Sequence, residues 1–319
     1  MMNNTLKNPF KFPSGTRIVG KWHNKPYVLV KELGYGANGT VYLAQGHNGY
    51  VALKMSENGM SITSEVNVLK AFSKAQGSAL GPSILDVDDW EARGKRIPFY
   101  VMEYIKGPDL LTFINKRGFS WTGVLIIQLL NDLERIHQEG WIFGDLKPEN
   151  LIITGPPNKI RCIDVGGTTL QGRAIKEFTE FFDRGYWVSG SRKAEPTYDL
   201  FSVAMIILNL AYPKRFNKTQ GGYQQLKLAI ESKKELIPYR ETLFMALQGK
   251  FSSATEMRMK MLEVSTGNKN IRTRSTSQTV TASRQQLKKK KKSGGVMETI
   301  LIIFIVAILY VLYIYGEIM

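Results

Sequence analysis

A two-lobed α+β fold, strand-rich first and helix-rich second, is predicted by three features of this chain. Between Tyr27 and Tyr104 the sequence runs in short stretches rich in Val, Leu and Tyr, separated by Gly and Asn. From Asp109 onward the apolar residues recur at helical spacing. The 319 residues are 43% hydrophobic and 22% charged, which is enough core material for one large domain and excludes disorder throughout. Strands followed by helices segregate into two lobes, with a cleft where they meet.

Strands at 27–33, 40–45 and 50–55 open the first lobe, and its one helix is expected at 61–75. Two further strands follow at 84–90 and 98–104. In the second lobe the segments 121–140 and 198–211 carry the strongest helical patterns, interrupted by a short β pair at 151–153 and 159–164. The folded domain is expected at 27–263, after an N-terminal extension at 1–26 in which no apolar run marks a secretory signal. A single cysteine, Cys162, excludes an intramolecular disulfide and a multi-cysteine metal site, and three histidines argue against a histidine-rich metal cluster. Cys162, beside Ile160 and Ile163, reads as a small buried hydrophobe, and His137 as structural.

Charge is concentrated near the C-terminus. The formal net charge is +16, and residues 264–295 hold nine basic residues and no acid, in a stretch of Ser, Thr, Lys, Arg and Gln without hydrophobic periodicity. Residues 296–316 are then almost wholly apolar, and as a helix they would span about 31 Å, close to the hydrocarbon thickness of a bilayer. This predicts one transmembrane helix, with a tyrosine belt at Tyr310, Tyr313 and Tyr315 and a short external tail at 317–319. Lys288 to Lys292 directly precede it, so the folded domain is expected on the cytoplasmic side of the cell membrane. The basic segment is expected to contact acidic lipid; it also suits sequence-independent DNA binding through phosphate contacts, which would bring copies of the chain together transiently.

Three motifs carry chemistry. Gly34, Gly36 and Gly39 open a strand at Val41, so they form a hairpin tip able to lie over phosphates; alone, the cluster is also compatible with an ordinary hairpin turn. Lys54 ends an otherwise apolar strand and, unless it is a surface lysine on an edge strand, needs a partner, which Glu65 in the following helix can supply better than Glu57, which precedes that helix. Finally, Ile142-Phe143-Gly144-Asp145-Leu146-Lys147-Pro148-Glu149-Asn150 is followed nineteen residues after its aspartate by Asp164-Val165-Gly166.

In this order the motifs resemble the bacterial membrane-anchored Ser/Thr protein kinase family, over about 27–263. The resemblance implies a bilobal kinase fold that transfers the γ-phosphoryl group of ATP, with Mg²⁺, to Ser or Thr hydroxyls of proteins. It implies Asp145 as base, Lys147 as phosphate contact, and Asn150 and Asp164 as metal ligands. It further implies backbone hydrogen bonds to adenine from Glu103 and Ile105, a ring sandwiched by Val41, Ala52 and Ile152, a ribose contact at Asp109, and Asp199 holding the catalytic loop from below. The competing class is a kinase fold that only binds, without catalysis; Lys54, Asp145, Asn150 and Asp164 are all present, which favours the enzyme.

The sequence also departs from the family pattern. Phe143-Gly144 replaces His-Arg, which removes the expected partner of a phosphorylated activation loop. Val165 replaces phenylalanine, and the ring of Phe143 is expected to fill the missing volume. No Ala-Pro-Glu closes the segment; Lys193-Ala194-Glu195-Pro196 stands near its place. Hydroxyls at Thr273, Ser275, Thr276, Ser277, Thr279, Thr281 and Ser283 are expected targets of autophosphorylation.

Overall fold

In a strand, alternate side chains face opposite sides of the sheet, and residues 52–54 divide accordingly between two cores. Ala52 packs into the core shared with the helical lobe, Leu53 into a separate core on the outer face, and Lys54 returns to the inner side. The computed structural model describes residues 10–36, 38–74, 80–92, 94–219 and 221–266. Six strands, β1 (Arg17–Val19), β2 (Pro26–Gly36), β3 (Gly39–Gly46), β4 (Gly49–Met55), β5 (Ile84–Ala92) and β6 (Lys95–Glu103), form one antiparallel sheet in the order β1-β2-β3-β4-β6-β5. Helix α1 (Gly59–Lys74) lies between β4 and β5 in sequence and buries Ile62, Val66, Leu69 and Phe72.

The outer face of the sheet is covered from the N-terminal side. Phe10 and Ile18 join Tyr27, Leu29, Tyr42, Leu53 and Phe99 in that second core. The stretch before the first expected strand thus contributes β1 and two anchors. Periodicity does not reveal a three-residue strand, because alternation needs more positions to register.

The second lobe holds α2 (Leu110–Arg117), α3 (Trp121–Gln138), the pair β8 (Leu151–Thr154) and β9 (Lys159–Cys162), and helices α4 (Pro196–Ala211), α5 (Tyr223–Glu231), α6 (Arg240–Leu247) and α7 (Ala254–Thr266). Two short strands, β7 (Trp141–Ile142) and β10 (Thr169–Leu170), pair antiparallel. Every residue of α4 from Tyr198 to Leu210 is buried, which makes it the central post of the lobe. The main expected elements are present; α4 begins two residues earlier than the periodicity indicates, because Pro196 suits the first helical turn. Among the described residues no helix is long and apolar enough to cross a membrane. The expected span at 296–316, the tail at 317–319 and all but the first residues of the basic segment lie outside the described residues.

Candidate active site

Each side of the cleft supplies one buried or half-buried ion pair. From β4, Lys54 Nζ donates to Glu65 Oε2 of α1 at 2.6 Å, with both side chains buried. Tyr100 of β6 donates its hydroxyl to the same oxygen at 2.8 Å, and Ser61 reaches Glu65 Oε1 at 3.2 Å. Burial, and then the charge of Glu65, pushes the Tyr100 phenol well up, so it stays a donor. Glu65 is therefore the partner that the sequence suggested.

Opposite stands Asp145. Lys147 Nζ donates to Asp145 Oδ2, and Thr179 Oγ1 donates to Asp145 Oδ1 at 2.9 Å. Lys147 also reaches Thr179 Oγ1 at 3.2 Å, closing a triangle. A backbone bond from Ile163 N to Asn150 O at 2.9 Å sets Asn150 beside the strand that leads into Asp164. Asp164 accepts from Gly166 N at 2.9 Å and is exposed. The loop is held from below by Asp199, which is fully buried and accepts from Phe143 N at 2.8 Å and Gly144 N at 2.9 Å while pairing with His137 Nε2 at 2.9 Å.

The glycine-rich turn joins β2 to β3. Gly39 has φ +121°, and a Cβ there would lie 2.2 Å from Met55 O, so the turn itself demands glycine. Gly34 and Gly36 would meet no protein atom within 4 Å, so packing within the protein leaves the space over the turn open. A hairpin tip with room above it is compatible with phosphates, and the amide and carboxylate oxygens of Asn150 and Asp164 are the hard donors Mg²⁺ takes.

The remaining expected residues have mixed surroundings. Ala52 is buried and Val41 half-buried against the same core. Ile152 is buried but lies outside the core clusters, and a Cβ on Gly107 would come 2.9 Å from its Cγ2. At the connection between the lobes, the Glu103 N–H already donates to Ser83 O at 2.9 Å, and its carboxylate grips Arg161 at 2.8 and 3.0 Å. Glu103 also pairs with Val51 across β4 and β6, and Ile105, two residues on, is buried. Asp109 caps α2, its two oxygens accepting from Thr112 N at 2.9 Å and Thr112 Oγ1 at 2.6 Å, so a ligand contact there competes with the cap. Cys162 is buried, and burial drives its thiol pKa far up, as suits a packing residue.

A protein kinase domain model matches residues 27–284. This chain belongs to the protein kinase family. The kinase is 50% identical to serine/threonine-protein kinase YabT of Bacillus subtilis, over 98% of each chain. It is 25% identical to a probable serine/threonine-protein kinase of Clostridium perfringens, over 60% of this chain and 30% of that one. It is 27% identical to cell division control protein 2 homolog D of Antirrhinum majus, over 63% and 70%. As a member of this family the kinase uses ATP with Mg²⁺.

The structure also explains how the kinase departs from the family pattern. Gly144 has φ +85°, and a Cβ there would lie 2.8 Å from Gly167 O, so a long side chain is excluded by the backbone as folded. Phe143 and Val165 are both buried in the shared core; the ring of Phe72 lies 6.3 Å from that of Phe143, and Phe72, Leu69 and Val165 all line one point beside Gly81. The ring of Phe72 thus also packs near Val165, whose missing volume Phe143 was expected to fill. Near the missing Ala-Pro-Glu, Glu195 pairs with buried Arg184 at 3.3 Å, and fully buried Asp183 accepts from Tyr198 OH at 2.9 Å and Arg192 Nε at 2.8 Å. Thr179 and the Asp183 network are not legible in the sequence, because the segment around them has neither periodicity nor a motif; only the chain's return to Asp145 gives them meaning.

Proposed function

We propose that this ATP-dependent serine/threonine protein kinase works tethered to a membrane by residues 296–316, its catalytic domain cytoplasmic and its C-terminus outside. The observation that carries the catalytic reading is the convergence of Lys147 and Thr179 on the two oxygens of Asp145. A Ser or Thr hydroxyl arriving there meets a carboxylate already aimed and ready to take its proton. As the hydroxyl oxygen forms its bond to the γ-phosphorus, the bond from that phosphorus to the leaving ADP oxygen breaks, and the proton passes to Asp145. Lys147 offsets charge on the transferring group, and Lys54, oriented by Glu65, holds the phosphates. Asn150 and Asp164 would hold Mg²⁺, which would supply charge neutralisation at the phosphates. Val41, Ala52 and Ile152 enclose the adenine, with Glu103 and Ile105 as its backbone partners and Asp109 at the ribose.

Membrane tethering is supported by the 296–316 apolar run and its lysine flank. Topology needs only the five lysines at 288–292, so Lys269, Arg272, Arg274 and Arg284 point to a further anionic partner. Acidic lipid and duplex DNA both fit, and DNA would gather several copies and promote phosphorylation between neighbours in the Ser/Thr-rich tail. The test is radiolabel transfer from ATP by the full chain in vesicles of neutral or acidic lipid, with and without duplex DNA, at low and high salt. No incorporation under any condition leaves the reading of a binding module; incorporation indifferent to lipid charge, DNA and salt removes the role given to the tail.

A further inference from the structure

Glu177 has no part in the chemistry above, yet it stands in the cleft. Asn38, in the glycine-rich turn, donates its side-chain amide to Glu177 Oε1. A Cβ on Gly166 would lie 3.2 Å from Asp164 Oδ1 and 3.7 Å from Glu177 Oε2, so the two carboxylates flank one point. The preceding Lys176 donates to Ser64 of α1 at 3.3 Å. Two consecutive residues of the segment after Asp164 therefore reach up to the strand-rich lobe, one to the turn and one to the helix.

Negative charge is disfavoured overall at this position, and the Glu177 carboxyl pKa is raised above its ordinary range. Burial raises the Glu177 carboxyl pKa; the Asn38 bond lowers it, Asp164 raises it, Lys54 lowers it and Glu65 raises it. Lys54 is thus within the field of Glu177, and the turn lends it an amide donor. Both are groups that a phosphate chain would use. A triphosphate added beside a carboxylate in a partly desolvated cleft meets like charge at short range, so the two do not share the space at equal ease.

We propose that Glu177 is a further residue of the nucleotide site, an internal anion held by the glycine-rich turn that the phosphates of ATP must displace. This rests on the reading that the turn covers the phosphates. Binding of ATP then includes breaking the Asn38 contact, and Glu177 sets the affinity for the phosphates without touching the adenosine part.

The experiment is titration calorimetry of the full chain, wild type, Glu177→Gln and Glu177→Ala, with ATP and with adenosine, in the presence and absence of Mg²⁺. Both variants should bind ATP about tenfold tighter, the effect of losing one close like charge, and adenosine within about twofold of wild type. The gain should shrink as salt rises. An equal change for ATP and adenosine would mean a structural role and overturn the proposal, as would no change. Weaker ATP binding only with Mg²⁺ would make Glu177 a cation ligand instead. A wild type that binds neither compound would bring down the nucleotide reading itself, whereas ATP binding without the difference brings down only the role of Glu177.

Discussion

At Gly144 the backbone as folded resists the side chain that the family pattern places there. Its φ of +85° is a conformation that side chains resist, and Gly167 O stands where a Cβ would go. Gly144→Ala is expected to destabilise by roughly 1–3 kcal/mol, read from denaturant midpoints at constant m, and Gly144→Arg by more. Unchanged midpoints would show that the loop relaxes and that the missing arginine has another cause. The neighbouring Asp145 carries the sharpest activity prediction. Asp145→Asn should abolish transfer while leaving ATP affinity within a few fold, because the role proposed for Asp145 is on the acceptor hydroxyl; Lys54→Arg should lower transfer by misplacing the phosphates that Lys54 is proposed to hold, since a planar fork does not replace a point charge. Single-turnover assays beside ATP titration separate the two, and wild-type turnover in either variant contradicts the mechanism.

Between elements, α1, the loop bearing Phe143 and the start of the segment after Asp164 meet in one packed column. Phe72, Leu69 and Val165 surround a single point beside Gly81. Restoring the family's ring with Val165→Phe should overpack that point and cost about 1–3 kcal/mol of stability, and pairing it with Phe72→Leu should recover part of the loss. Strict additivity of the two in thermal melts would mean that they do not share the space. A second junction ties β6 to β9. Arg161 grips Glu103 and also donates to Gly81 O at 2.9 Å, and the Glu103 carboxyl is held below its ordinary range, by this Arg161 bond before any other cause. A lowered folded-state pKa means that the stabilisation is present above the ordinary glutamate pKa and is lost as pH falls through the lowered one. Glu103→Gln should therefore be less stable than wild type at neutral pH, and the gap should close in acid. A gap that stays constant with pH would refute this.

For the whole molecule, the proposed function gives chemistry to the catalytic domain and placement to the basic segment 264–295. Changing the nine basic residues of 264–295 to Gln is expected to leave the kinase's ATP affinity unaltered while weakening vesicle or DNA binding and its salt dependence. Sedimentation with acidic vesicles and DNA retention measured at two salt concentrations decide this; binding equal to wild type in both would assign the charge to topology alone.

Local signals were sufficient for much of this protein. The alternation that sends Ala52 and Lys54 to one side and Leu53 to the other, the run from Asp145 to Asn150, and the paucity of cysteine are all readable from adjacent residues, because strand period, loop spacing and composition are local properties. The pairing of Lys54 with Glu65 was inferable for the same reason, since a strand end and the first turns of the next helix lie close along the chain. Tertiary structure alone decided the rest. Thr179 gains its place from bonds to Asp145 and Lys147, Glu177 from Asn38, 139 residues away in sequence, and Arg161 from Glu103, 58 residues away. β1 is a strand only because β2 offers it an edge, and Asp109 is a helix cap because Thr112 turns back to it. A hydrogen bond or packed ring between distant segments depends on where the chain returns, and no local pattern of hydrophobicity or charge encodes that return.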